Sequence, residues 1–214
     1  MKVNRITLWS VDLTSHETYY MAEGKTCATV KTHVLCLETD AGLKGWGEVC
    51  PIPHYLPAFA DGVPSAIREM APEILGINPM GIDAPMHKLD GFLQGHRAAK
   101  SIVDMALWDL KGKHFGEPIH RLLGGKRHDA IRSYASILFG DDGQETADIG
   151  RRWVEAGYTA VKFGWEPMGE SEAVDIDLVR GAREGLGDAT LLIDAGCVWD
   201  ARTALRRAHA FAEY

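Results

Sequence analysis

Residues 157–162, with the sequence Gly-Tyr-Thr-Ala-Val-Lys, lie between two segments of helical periodicity and decide the fold of the second half of the chain. The stretch is short, apolar at its centre and preceded by a glycine, as expected of a strand that follows a helix. Residues 190–195 repeat this arrangement after the next helical segment. Strands that alternate with helices in this way predict parallel strands joined by crossover helices.

The alternation extends outward from this stretch over residues 131–214. We predict strands at 131–138, 159–163 and 190–195, and helices at 144–156, 171–186 and 200–214. Residues 129–214 number 86, whereas a closed eight-stranded barrel needs about 250 residues. We therefore predict a partial (β/α) barrel domain over residues 126–214, made of the first three βα units of a TIM-type barrel that is incomplete in this chain. A small three-stranded doubly wound sheet is the alternative.

Residues 1–125 follow a different pattern, with three strands before several helices. Alternation predicts a strand at 3–13, a polar loop at 15–25, and a hairpin of strands at 27–39 and 43–49. The glycines of the hairpin predict either close backbone approach or a bulge. Helical periodicity follows at 62–74, around 86–92 and at 98–114. Segregated strands and helices predict an α+β domain.

Composition and charge exclude several classes of protein. The chain of 214 residues has 46% hydrophobic and 25% charged residues and a formal net charge of −7, which predicts no binding to nucleic acid. No apolar run approaches the roughly 20 residues that span a bilayer, so we expect no membrane. The N-terminus lacks a signal-peptide core and the four cysteines form no CxxC pair, so we expect a cytoplasmic protein with buried thiols.

Two charged residues come at the ends of predicted strands, where parallel α/β folds bind their ligands. Lys162 could neutralise a substrate carboxylate or act as a base, or could simply reach solvent. Asp194 follows the apolar Leu191-Leu192-Ile193, and a carboxylate there is costly unless it is paired or bound to a metal such as Mg²⁺. Capping the next helix is the other possibility for Asp194, but Asp200 is better placed for it.

Weaker candidates lie in the first domain. His54 and Tyr55 belong to the Pro-rich loop 50–57, which is either a rigid binding loop or an ordinary surface loop. The sequence contains no GxGxxG, P-loop or GxSxG motif, so a nucleotide-binding or serine-hydrolase function has no support.

Four ordered motifs together resemble the mandelate racemase/muconate lactonizing branch of the enolase superfamily. They are Gly42-Leu43-Lys44-Gly45-Trp46-Gly47-Glu48 of the cap-domain hairpin, the segment from Ala98 to Gly125 with its Leu122-Leu123-Gly124-Gly125 ending, Ala160-Val161-Lys162, and Leu192-Ile193-Asp194-Ala195. The resemblance covers essentially the whole chain. It identifies residues 1–125 as the α+β cap domain that precedes the barrel.

The resemblance implies a Mg²⁺ cofactor and abstraction of the proton α to a carboxylate. It makes Asp194 the first of three metal ligands and Lys162 the first, catalytic lysine of a Lys-x-Lys motif. The cap loops would supply specificity, which makes Tyr20, His54 and Tyr55 the expected substrate-binding residues. The loop 50–57 is also somewhat similar to that of members acting on hydroxyproline or proline-betaine substrates. Two features depart from the family: Gly164 stands where the second lysine would be, and the other metal carboxylates belong to later strands.

We therefore expect the complete protein to be a dehydratase or a racemase/epimerase of a small carboxylate, such as a sugar acid or an amino-acid derivative. The absent second lysine favours dehydration, because one base and one acid suffice for it. We also expect a homo-oligomer. The alternatives are a truncated, non-catalytic fragment of such an enzyme and a small α/β binding module unrelated to the superfamily.

Overall fold

A computed structural model describes residues 1–21, 25–52 and 59–214 of the chain. The strands are β1 (Val3–Met21), β2 (Lys25–Thr39), β3 (Lys44–Val49), β4 (Ala135–Leu138), β5 (Ala160–Gly164) and β6 (Thr190–Asp194). The helices are α1 (Gly62–Ile74), α2 (Asp83–Phe92), α3 (Arg97–Phe115), α4 (Ile119–Leu122), α5 (Gly143–Glu155), α6 (Glu172–Leu186) and α7 (Ala201–Phe211). Within these ranges, no helix is both long and apolar enough to cross a membrane.

The chain divides into two compact units. One comprises residues 1–15 and 29–129, and the other comprises residues 130–214 with the described residues of 16–28. The strands form two three-stranded sheets, one of order β1-β2-β3 and one of order β4-β5-β6. The predicted α+β domain and the three βα units are thus confirmed, and the barrel within this chain is incomplete.

The first unit is built on close contact between β3 and α3. A Cβ atom on Gly45 would lie 2.2 Å from the carbonyl oxygen of Ala106, and one on Gly47 would lie 2.1 Å from that of Ile102. Only glycine permits this approach, so the predicted close backbone contact is confirmed. His33, Leu35 and Leu37 of β2 face the same side and are fully buried.

The predicted loop at 15–25 is wrong for residues 15–21 and for Lys25, because β1 continues to Met21 and β2 begins at Lys25; residues 22–24 lie outside the described residues. The polar composition of this segment suggested a loop, but threonine and tyrosine are favourable in strands, and pairing between neighbouring strands needs no apolar face. In the second unit, β4 is shorter than predicted, since only residues 135–138 pair with β5. Ile131 is 88% exposed.

The second unit has parallel strands and N-capped helices. Asp142, Ser171 and Asp200 each accept a hydrogen bond from the backbone N–H three residues later, at 2.9, 3.2 and 2.7 Å. These caps fix where α5, α6 and α7 begin. They therefore also fix where the preceding strand-to-helix loops end, and those loops lie at the carboxyl ends of the strands. The expected capping role of Asp200 is confirmed.

Candidate active site at the carboxyl ends of β5 and β6

Strand alternation places Lys162 and Asp194 on one face of the second sheet. Val161 and Phe163 are fully buried in the core with Leu178 and Val179. Because successive side chains point to opposite faces, Lys162 and Gly164 lie on the other face. Gly164 is the register partner of Asp194.

Lys162 and Asp194 form an ion pair across the two strand ends. The Nζ atom of Lys162 donates to Oδ2 of Asp194 at 2.9 Å, and the backbone N–H of Gly196 donates to Oδ1 at 3.1 Å. The side chains are 21% and 35% exposed. The hydrogen bond from Lys162 is the main cause that holds the pKa of Asp194 below its ordinary value; the bond from Gly196 adds to it, and burial opposes both. Asp194 is therefore a carboxylate at neutral pH.

The position expected for the second lysine is occupied by Gly164, which packs tightly against Asp194. A Cβ atom on Gly164 would lie 3.2 Å from Cβ of Asp194 and 3.4 Å from its carbonyl oxygen. Neighbouring strands usually keep Cβ atoms of paired residues farther apart. Glycine at 164 thus accompanies a close approach of β5 to β6, and a lysine there would push Asp194 away.

Trp165, which the sequence reasoning did not assign to the site, also belongs to it. Its ring centroid lies 5.6 Å from Nζ of Lys162. Its backbone adopts a left-handed conformation with φ of 68°, and its N–H donates to the carbonyl oxygen of Asp194 at 3.0 Å. Simple alternation would have placed this ring on the face of Phe163, so its position could not be predicted from the strand pattern.

A buried charged cluster holds the loop that follows Trp165. Asp175, which has no exposed surface, accepts from the N–H of Gly169 at 2.6 Å and from Nε of Arg207 at 2.6 Å. Arg207 also contacts Glu172. The sequence reasoning missed this cluster, because Asp175 and Arg207 lie on different helices and are 32 residues apart.

The described residues do not by themselves make a complete Mg²⁺ site. Residues 1–21, 25–52 and 59–214 contain no group of three or more His, Cys, Asp or Glu side chains placed to hold a metal. Asp194 is a suitable hard oxygen ligand, but Mg²⁺ held by one carboxylate keeps most of its water. What the pair offers directly is one ammonium and one carboxylate at the end of a parallel sheet.

The other candidates are not brought to this pair by the described structure. Tyr20 lies in β1, but its side chain is outside what the structure describes. His54 and Tyr55 lie outside the described residues. Their role in substrate binding stays a prediction.

Comparison with known proteins agrees with this architecture. The family model for the mandelate racemase/muconate lactonizing enzyme N-terminal domain matches residues 6–124, and the model for the enolase C-terminal domain-like family matches residues 145–214. The chain is 36% identical to a cis-3-hydroxy-L-proline dehydratase of Roseibium aggregatum, over 96% of this chain and 56% of that protein. It is 38% identical to a D-galactonate dehydratase of Verminephrobacter eiseniae, over 70% of this chain and 40% of that protein.

A solved structure extends the similarity to the fold. The dipeptide epimerase of Enterococcus faecalis, complexed with Mg and the dipeptide L-Leu-L-Tyr, superimposes with a TM-score of 0.89 at 28% identity. The match covers all of this chain and 59% of that one. The chain thus spans between 40% and 59% of the length of these relatives. The chain has a cap hairpin whose glycines pack against α3, three βα units, and a lysine–aspartate pair at the strand ends. From the two family matches, it belongs to the mandelate racemase/muconate lactonizing enzyme family of the enolase superfamily.

Proposed function

We propose that the protein containing this chain removes the proton α to the carboxylate of a small substrate and then eliminates water. The observation that carries the proposal is the contact between Lys162 and Asp194 at the carboxyl ends of β5 and β6. Active sites of barrels of this kind lie at that end. Mg²⁺, held by Asp194 together with ligands beyond the described residues, would stabilise the negative charge that develops on the substrate carboxylate.

The proposed reaction is a balanced elimination. A base takes the proton from Cα, and the electron pair of that C–H bond forms the Cα–Cβ double bond. The C–O bond at Cβ breaks, and the departing hydroxide takes a proton from an acid and leaves as water. The resulting enol converts to the 2-oxo acid when the Cα of the substrate carries a hydroxyl group, so no oxidant or reductant is needed.

Lys162 is the proposed proton carrier or charge-neutralising group on its face of the substrate. The ammonium lies beside Asp194, and Gly164 stands where a second lysine is expected, in tight contact with that aspartate. Dehydration needs one base and one acid, whereas racemisation needs a proton carrier on each side of Cα. The similarity to two dehydratases supports the same choice.

Epimerisation is the second candidate, because a structural neighbour acts on dipeptides as an epimerase. The two reactions differ in their products in D₂O. We would incubate the protein with Mg²⁺ and a panel of hydroxy acids, sugar acids and dipeptides, and follow the substrates by ¹H NMR. Dehydration of a substrate with a hydroxyl group on Cα gives a 2-oxo acid, whereas epimerisation gives only exchange of the α-proton and the opposite stereoisomer.

Substitution of Lys162 or Asp194 tests the site, because it should remove both the formation of product and the exchange of the α-proton. We expect Lys162→Met and Asp194→Asn to abolish turnover. The matched control is Lys126→Met, which removes a surface lysine paired with the fully exposed Asp129. Turnover retained in Lys162→Met or in Asp194→Asn contradicts the proposal.

A non-catalytic chain is a third candidate, and one observation favours it: the described residues supply a single metal-ligating carboxylate at the pair. In that case neither exchange nor elimination occurs with any substrate of the panel. Folding through the first unit, with its own core of β1–β3 and α1–α3, would still be expected.

We also propose that the protein is a cytoplasmic homo-oligomer with domains at 1–125 and 126–214. Free thiols at Cys36 and Cys197 support a reducing compartment.

The stacked rings of Trp9 and Trp46, each 44% exposed, support an apolar surface through which copies of the chain would contact each other. Light scattering after gel filtration measures the oligomeric state, and limited proteolysis locates the domain boundary.

A further inference from the structure

Trp165 has an unusual backbone conformation that brings its ring to Lys162. In a regular strand, residues 162 and 164 share one face and residues 163 and 165 the other. Trp165 leaves this pattern, because the centroid of its ring lies 5.6 Å from the Nζ atom of Lys162, whose side chain is on the face opposite to that of Phe163. Its φ of 68° is in the left-handed region, which a residue with a large side chain rarely adopts.

The surrounding structure maintains this conformation at several points. The N–H of Trp165 is held by the carbonyl oxygen of Asp194, and its own carbonyl oxygen accepts from the N–H of Met168, both at 3.0 Å. One residue further on, Gly169 is held by the buried Asp175, which is paired with Arg207. The turn is therefore anchored to β6, α6 and α7.

The consequence is a lysine held between two partners. Asp194 accepts a hydrogen bond from Nζ at 2.9 Å, and the indole face approaches the same ammonium, which is a favourable cation–π geometry. Gly164, which has no side chain, packs beside Asp194, and a Cβ atom there would lie 3.2 Å from the Cβ atom of the aspartate. The long lysine side chain thus loses much of its rotational freedom.

We propose that Trp165 is a positioning residue that holds the ammonium of Lys162 in its reactive place. In this site Gly164 stands at the position expected for a second lysine, and the aromatic ring of the next residue contacts the first lysine. This inference rests on the proposed function of Lys162. The ring excludes water from one side of Nζ and limits its position, and it carries no proton itself.

A spectroscopic experiment tests the contact without any need for activity. Lysines dimethylated with ¹³C-formaldehyde keep their charge, and a methyl group over an indole ring gives an upfield-shifted ¹³C–¹H signal. We expect such a signal for Lys162, assigned by its loss in Lys162→Arg, that moves to the unshifted region in Trp165→Leu and is partly restored in Trp165→Phe. The matched control is Lys111, which lies 5.1 Å from the ring of Trp108. Its signal should move in Trp108→Leu and stay in Trp165→Leu.

Kinetics test the positioning role. In the active protein, Trp165→Leu should lower kcat by about tenfold to 100-fold, the scale of a misplaced reacting group, with KM changed far less, and Trp165→Phe should recover most of kcat. An unshifted Lys162 signal in the original protein, or one that is unchanged in Trp165→Leu, overturns the proposal. So does full kcat in Trp165→Leu when Lys162→Met is inactive. Turnover retained in Lys162→Met overturns the proposed function instead, and if no substrate is turned over, the methyl signals decide on the contact.

Discussion

Gly164 on β5 lies so close to Asp194 on β6 that a Cβ atom on the glycine would lie 3.2 Å from the Cβ of the aspartate. The family motif predicts a lysine at this position, and the sequence has none. The close approach shows that the glycine is part of the local geometry of the pair, because Lys162 reaches Asp194 beside a residue without a side chain.

Replacing Gly164 by alanine should therefore destabilise the second unit. Crowding in a well-packed region costs about 1–3 kcal/mol, and we expect faster hydrogen–deuterium exchange in β5 and β6. The matched control is Gly91→Ala in α2, where a Cβ atom meets nothing within 4 Å and alanine should stabilise the helix by about 0.5–1 kcal/mol. Equal effects of the two substitutions in urea denaturation would contradict the close approach.

Replacing Arg207 by methionine should strongly destabilise α6 and α7. The substitution removes the guanidinium partner of Asp175, which has no exposed surface. Breaking a buried pair in this way costs about 3–5 kcal/mol, because one charge stays buried and uncompensated. Its neighbour Arg206 is 57% exposed and pairs with Glu172 at 3.3 Å, so Arg206→Met should cost less than about 1 kcal/mol. Urea denaturation with hydrogen exchange of both helices measures the difference.

The pair of Asp90 and Lys100 should make stability depend on pH in the acidic range. Lys100 has a largely buried side chain, and its hydrogen bond, with its charge, holds the pKa of Asp90 below its ordinary value. Because the folded pKa is lowered, the stabilisation is fully present above the unfolded value of about 3.9 and is lost as the pH falls through the folded pKa.

Asp90→Asn tests this pH dependence. The difference in unfolding free energy between the original protein and the variant should be constant above about pH 5 and should shrink as the pH falls further. A difference that stays constant down to pH 2, or one that grows on acidification, would show that the ion pair does not have this effect.

Added Mg²⁺ should bind this chain only weakly. The described residues present one carboxylate at the pair, and both of its oxygens already accept hydrogen bonds, from Lys162 and from Gly196. We expect no stoichiometric binding in isothermal titration and no difference between the original chain and Asp194→Asn. Tight binding that is lost in Asp194→Asn would show that further ligands come together at this site.

The sequence by itself determined the order of elements and the placement of the two candidate site residues, Lys162 and Asp194, at the ends of strands. Apolar segments of five or six residues, placed between helical patterns, predicted β5 and β6, and Lys162 and Asp194 followed because strand ends are defined locally. Asp200 as a helix cap followed in the same way. The segment 15–25 was predicted wrongly, since polar strand residues that pair with a neighbouring strand carry no alternating pattern.

Only the tertiary structure decided how these residues meet. The approach of Gly164 to Asp194 depends on the pairing of two strands that are 30 residues apart in sequence. The ring of Trp165 reaches Lys162 through a left-handed backbone angle held by Asp194, and the buried pair of Asp175 and Arg207 joins two helices. Periodicity reports which face of its own element a residue occupies, whereas distances between elements arise from packing, which no local pattern records.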